Sequence, residues 1–314
     1  MVEAMEGTAD RRVRHALDET ESSWEAPPPR RGAVPVTLTR TARPVTRQRP
    51  AGDRLAPGRP GELGSDVHQP AVVAVSGIAG GAGRTTLSVA LGQTLASLRP
   101  DPVVAVEAAA EPLGTMSSRV RLTTSASVHD LYTGPRPTSR DAVSSMLNLD
   151  HSGLLTLVGD ASGAALWPRP RAVSAAVDRL LEWYRLAVLD LPASPVSRVA
   201  WPWVSTKAAA VVLVARATGP DLSLLAETIP VLTHLGLAGA GGRVIVVVNH
   251  TGRGSLNRDA QAAEQLVAAR VRSVVRLPYD EQLAGTREIR LDRLSRPTRT
   301  ALLRIAAACG ARFQ

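Results

Sequence analysis

The chain has 314 residues, a formal net charge of +9, 44% hydrophobic residues and only 3% aromatic ones, a length sufficient for one large buried core or two small ones. A single cysteine, Cys309, excludes a disulfide framework and a cysteine-built metal site, and it points to a reducing compartment. No apolar run approaches the about 20 residues that span a bilayer, and the opening segment lacks the apolar stretch of a secretory signal, so the expectation is a soluble cytoplasmic protein.

Residues 1–70 hold nine prolines and no apolar periodicity, and between 30 and 60 eight arginines stand against one acid, Asp53. Such a stretch buries too little surface to offset its ordering entropy, so a disordered N-terminal arm is expected. It reads either as a solvated linker or as an electrostatic arm for nucleic acid, anionic lipid or an acidic partner.

From residue 71 the texture changes. Short valine-rich runs recur at 71–75, 102–106, 153–158, 186–190, 210–215, 243–248 and 272–277. They are continuous rather than alternating, as strands buried on both faces of a parallel sheet are. Between them lie segments of helical period. Leu87, Ala90, Leu91, Leu95 and Leu98 share one face of 85–98; Ala172, Val173, Ala176, Val177, Leu180 and Leu181 share one face of 171–183. Strand, helix and strand in alternation predict an α/β fold over 71–314: a doubly wound, mainly parallel sheet of about seven strands with helices on both faces.

The first strand runs into Gly77-Ile78-Ala79-Gly80-Gly81-Ala82-Gly83-Arg84-Thr85-Thr86 and then directly into the first helix. A glycine-rich turn between strand and helix N-terminus is suited to phosphate, because glycine lets backbone N–H groups approach the oxygens and the helix end adds partial positive charge. The candidate binding residues are Gly80, Gly81, Ala82, Gly83, Arg84, Thr85 and Thr86, with a phosphate group as the expected ligand; the resemblance given next implies ATP. A hydroxyl at Thr85 and a carboxylate at Asp190, which ends an apolar strand, would share Mg²⁺; the alternative for Asp190 is a loop cap. Asn249, at another strand end, either reads an adenine edge or stabilises a turn.

The segment Ala79–Thr86 resembles the deviant Walker A motif of MinD/ParA-type ATPases, KGGxGK[ST][ST]. The resemblance continues through Val103–Val106 with Glu107 (second strand and acidic switch I), Leu186–Asp190 with Pro192 (Walker B strand and switch II), Val244–Asn249, and Leu277-Pro278-Tyr279-Asp280, the loop beside the adenine. It implies a P-loop NTPase fold and a nucleotide-dependent homodimer, with Arg84, Glu107 and Asp190 in the catalytic positions and Asn249, Pro278 and Asp280 near the base. A narrower resemblance rests on Gly114-Thr115-Met116, on Ser127-Val128-His129-Asp130-Leu131 and on Leu291-Asp292-Arg293-Leu294. These segments look like actinobacterial MinD-like ATPases of ESX (type VII) secretion, and they imply a protein partner in a secretion or partitioning system.

The departures from that motif have chemical weight. Of 37 basic residues, 36 are arginine, and Lys207 is the lone lysine. The two lysines that the family carries in its loop are Arg84 and Ala79 here. Arginine keeps the charge but is longer and planar, and alanine supplies neither charge nor donor. Switch I reads Glu107-Ala108-Ala109-Ala110. Phosphoryl transfer depends on positioning and charge stabilisation, so these losses predict weak or absent hydrolysis, and a nucleotide-free scaffold is the alternative.

Other chemistries lack residues. The six histidines show no metal-ligand spacing, no Gly-x-Ser-x-Gly elbow occurs, and nine aromatics argue against a stacking platform for single-stranded nucleic acid. Residues 285–314 carry seven arginines against two acids with apolar residues interleaved. That pattern reads as a closing helix with Pro297 in its first turn, or as a basic helix lying on an anionic membrane at its inner face. DNA is a further partner suggested by net charge alone.

Overall fold

A computed structural model describes residues 69–108, 116–159, 170–193, 204, 206–239 and 242–313. The expected arm at 1–70 lies outside the described residues except for its last two, as do Ala109 and Ala110 of the acidic segment.

Eight strands form one sheet: β1 (Ala71–Gly77), β2 (Val103–Glu107), β3 (Asn148–Leu149), β4 (Leu155–Leu157), β5 (Leu186–Ala193), β6 (Ala208–Arg216), β7 (Val244–Asn249) and β8 (Ser273–Leu277). Their order is β3–β4–β2–β5–β1–β6–β7–β8. Every neighbouring pair is parallel except β3 with β4. Seven of these strands occupy the seven valine-rich runs; the eighth, β3, is a two-residue edge strand. A segment that short has no periodicity to read.

The described helices are α1 (Arg84–Leu98), α2 (Met116–Arg119), α3 (Val128–Thr133), α4 (Arg140–Ser144), α5 (Pro170–Leu181), α6 (Gly219–His234), α7 (Arg258–Ala268), α8 (Glu281–Ala284) and α9 (Arg296–Gly310). Alternation along each strand divides the apolar residues between two cores. Val73, Val75, Ala105, Val188 and Val212 meet α1 and α9 on one face. Val72, Ala74, Val104, Leu189 and Leu213 meet α3, α5, α6 and α7 on the other. Continuous apolar strands are thus explained by helices on both sides.

The expected stripe on α1 is buried through Leu95, while Leu98 at the helix end is exposed. On α9, Ala301, Leu302, Ile305 and Cys309 point into the core. Ser295 caps this helix, accepting from the Thr298 N–H, and Pro297 sits in the first turn. The apolar face of the basic C-terminal segment is therefore used within the fold. Burial pushes the Cys309 thiol up to about 12, leaving it an inert packing group. Among the described residues no helix is long and apolar enough to cross a membrane.

β1 stands between β5 and β6, and the chain leaves it first toward β2 on one side and later reaches β6 on the other. A crevice at the carboxyl ends of the strands is expected at this reversal of strand order, and the glycine turn lies there. Leu213 of β6 is fully buried in register with Ser76 of β1. Leu213→Ala is expected to cost about 2–5 kcal/mol in denaturant unfolding without altering the dependence on denaturant concentration.

Candidate functional site

The turn after β1 is shaped by two left-handed glycines, Gly81 (φ 71°) and Gly83 (φ 89°). Gly83 precedes α1, and its carbonyl accepts the Leu87 N–H at 2.9 Å, opening the helix. The φ of Gly83 calls for glycine, and a β-carbon there would stand 2.5 Å from Asn249 Nδ2 and push that side chain aside. Gly80 and Gly81 are exposed at the crest of the turn.

The first turn of α1 is fastened to β5, which runs three residues past Asp190 to Ala193. Thr85 Oγ1 donates to Asp190 Oδ2 at 2.6 Å, and Ser88 Oγ lies 3.3 Å from Oδ1. Asp190 is in register with Val75 of β1 and Glu107 of β2, and it is wholly buried. Burial raises its carboxyl to about 7; the Thr85 hydrogen bond and the Arg84 charge pull the other way, while Glu107 adds to the rise. Thr85 and Asp190, paired from sequence as magnesium ligands, thus meet in space.

The remaining sequence candidates have other partners. Arg84 does not extend along the turn. Its buried side chain passes over Gly77, and Nη1 donates to the Leu191 carbonyl at 2.5 Å. A methyl group on Gly77 would stand 2.6 Å from Arg84 Cδ, so this path exists only beside glycine. Glu107 lies one strand from Asp190, buried, its carboxylate accepting the N–H groups of Met116 at 3.1 Å and Gly159 at 2.8 Å. Asn249 Nδ2 donates to the Ala82 carbonyl at 2.9 Å, which is the turn-stabilising geometry. Asp280 caps α8 through the Gln282 N–H at 3.0 Å and accepts the Ser295 N–H at 2.9 Å, joining α8 to the start of α9.

A cleft of about 440 Å³ opens beside the turn, lined by Gly81, Gly83, Thr86, Asn249, Pro278 and Leu283 among others. Its wall includes Arg119, a residue the sequence does not single out. The Arg119 Nη2 donates to Thr86 Oγ1 at 2.9 Å and to the Leu283 carbonyl at 2.6 Å. Nη1 is bonded to the Gly285 carbonyl and lies 3.3 Å from that of Arg287. Lys207 is remote from this cleft, half exposed and 3.7 Å from Asp178.

A parallel sheet covered on both faces, with a glycine turn leading from its central strand into a helix N-terminus, defines a P-loop NTPase-like α/β fold. Solved structures of that class superpose on the chain. The ParA family ATPase from Chlorobium tepidum TLS gives a TM-score of 0.60 at 15% identity, covering 76% of this chain and 98% of that one. The septum site-determining protein MinD complexed with Mg-ADP from Pyrococcus horikoshii OT3 gives 0.57 at 18%, covering 76% and 94%. At these identities the likeness is one of fold. No family model matches the chain. In sequence it is similar to the ESX-1 secretion-associated protein EspI of Mycobacterium tuberculosis, 28% identical over 253 residues, or 77% of this chain. The chain spans 36% of the length of that relative.

Two outcomes test this geometry. Gly77→Ala is expected to dislodge Arg84 at a cost of about 1–3 kcal/mol. The same change in an Arg84→Ala background should cost clearly less, a coupling read from a double-mutant denaturation cycle. Asp280 supplies a pH dependence. Burial alone would raise its carboxyl, but donors from Ser295, Thr298 and Gln282 outweigh burial and hold it below the usual carboxylate range. The ionised form therefore stabilises the fold above the unfolded-state value of about 4 and is lost as pH falls through the folded one. Asp280→Ala should cost about 1–3 kcal/mol at neutral pH, and its deficit against the parent protein should shrink progressively below about pH 4.

Proposed function

We propose that residues 71–314 form an ATP-binding switch of MinD/ParA architecture with weak or absent hydrolysis. The observation that carries this reading is the hydroxyl of Thr85 bonded at 2.6 Å to the buried carboxylate of Asp190, at the base of a left-handed glycine turn. In this reading the backbone N–H groups of Gly80, Gly81, Ala82 and Gly83, with the N-terminal end of α1, cradle the phosphates. Asn249 and Pro278 flank the nucleoside, and Asp280 holds the loop that carries Pro278. A hydroxyl and a carboxylate are hard oxygen donors, the ligand type that Mg²⁺ takes, so Thr85 and Asp190 would hold the ion. An ion held there would supply neutralisation of the phosphate charge.

The groups needed for hydrolysis are what the chain lacks. Ala79 offers no cation to a second subunit, and Arg84 is engaged with the Leu191 carbonyl. Glu107 is occupied by two backbone amides, and a positioned cation typically contributes orders of magnitude in phosphoryl transfer. Nucleotide-bound subunits would associate as a homodimer, with binding and release, rather than turnover, setting the state. The similarity to EspI supports a place in an ESX-type secretion system, ahead of a chromosome or plasmid partitioning role. With the apolar face of α9 used in the core, contact with DNA or an anionic membrane would rest on surface arginines.

A second reading, a nucleotide-free scaffold, is favoured by one observation: Arg84 and Asn249 both satisfy backbone carbonyls of the protein itself. Titration of the purified chain with fluorescent ATP separates the two. The switch predicts saturable binding that Mg²⁺ tightens, and loss of the Mg²⁺ effect in Thr85→Ala. ATP turnover should stay near background, and Arg84→Lys combined with Ala79→Lys should tighten binding and promote an ATP-dependent dimer in sedimentation. Absence of saturation at millimolar nucleotide establishes the scaffold instead.

A further inference from the structure

A second cleft, of about 580 Å³, adjoins the first and shares with it only His250, Pro278 and Tyr279. Four arginines line it: Arg253 after β7, Arg276 on β8, and Arg296 and Arg304 on α9. None of its lining residues is acidic. Arg296, Thr300 and Arg304 recur every fourth residue and share one face of α9, while Leu302, Ile305 and Cys309 of that helix point into the core. All four arginines are exposed. The more deeply set residues are Ala301, which is buried, and Pro278 and Tyr279, which are half-buried. The recess is thus apolar within and cationic around.

The guanidinium groups differ in how far they are engaged. The Arg296 side chain makes no hydrogen bond or ion pair with any described residue. Arg253 pairs with Glu281, but both side chains are more than two-thirds exposed, and a pair held in water is weak enough to exchange. Arg276 gives Nε and Nη2 to Glu264 at 2.7 and 2.6 Å, which fixes its plane. Arg253 also lies over the Tyr279 ring, 5.6 Å from its centre, so that ring face is covered rather than open to a stacking base.

We propose that this cleft docks an acidic segment of a partner protein, one aliphatic side chain entering beside Pro278, Pro297 and Ala301 while flanking carboxylates meet Arg296 and Arg253. Charge complementarity supplies the attraction, and the parallel N–H groups of a guanidinium suit a carboxylate. The concave shape selects the occupant. Duplex DNA and a bilayer present their anions on broad surfaces and place no aliphatic side chain in a recess of this size; a protein segment brings both groups together. The proposal stands apart from the nucleotide reading, because most of the lining residues lie outside the first cleft.

The test is fluorescence anisotropy of a labelled peptide in which glutamates flank a single leucine, titrated with the full chain at fixed salt. Saturable binding is expected, with a loss of roughly tenfold or more in Arg296→Glu and, from a different element, in Arg253→Glu. Arg270→Glu alters an exposed arginine at the opposite end of β8; it makes the same change in net charge and should leave affinity within about twofold. Replacing the leucine of the peptide by serine should weaken binding severalfold. Equal loss in all three variants would reduce the binding to net charge, and equal affinity for the serine peptide would remove the recess from the contact; either result overturns the proposal, as does failure of the peptide to bind. Tighter binding of an oligonucleotide or of phosphatidylserine vesicles, abolished by Arg296→Glu, would assign the surface to nucleic acid or membrane instead. Mg–ATP affinity should be the same in Arg296→Glu as in the parent protein, and a parallel loss would make the recess an extension of the nucleotide site.

Discussion

Asp190 is a carboxylate with no access to water, and the geometry of the β1–α1 turn follows from how it is satisfied. Its two oxygens are met by Thr85 and Ser88, three residues apart and therefore on one face of α1. That pairing fixes the rotation of the helix against β5. Once Thr85 faces Asp190, Thr86 is turned about 100° away, toward Arg119, and Arg84 passes over Gly77. The left-handed backbone at Gly83 brings the chain into the helix at that angle, and Asn249 holds the preceding carbonyl in place. A carboxyl raised to about 7 by burial is costly to ionise, and a nearby cation lowers that cost. The same environment that strains the carboxylate in the bare protein would favour a bound metal ion.

The sheet was legible because its strands are buried on both sides. Val72 and Val73 belong to different cores, so both must be apolar, and the run is continuous. The edge strand β3 buries only Asn148 of its two residues and left no such trace. The glycine turn, Thr85 and Asp190 were legible for a chemical reason: a positive φ demands glycine, and a carboxylate ending an apolar strand needs a partner. Arg119 was not legible. It is one of many arginines, and its partners lie 33 residues away at Thr86 and 164 residues away at Leu283. Only the folded chain brings these together. Asp280 lines the cleft, and its capping of α8 has a sequence signal, an acidic residue directly before Glu281-Gln282-Leu283-Ala284.

Arginine in place of lysine changes what such a cleft can do. An ammonium is a compact charge that can extend along a glycine turn, whereas a guanidinium is a rigid fork that satisfies several carbonyls at once. Arg119 behaves as such a fork, held by the carbonyls of the 283–287 segment, whereas Arg84 gives Nη1 to the single carbonyl after Asp190. They bracket the N-terminal end of α1 from two sides. Binding energy and transition-state stabilisation are separable quantities, and only groups that act on the transferring phosphoryl accelerate its transfer. In the function proposed above, a cleft that keeps its helix end and its glycine turn, while the cation of the turn is tied to Leu191, would hold a nucleotide more readily than consume it.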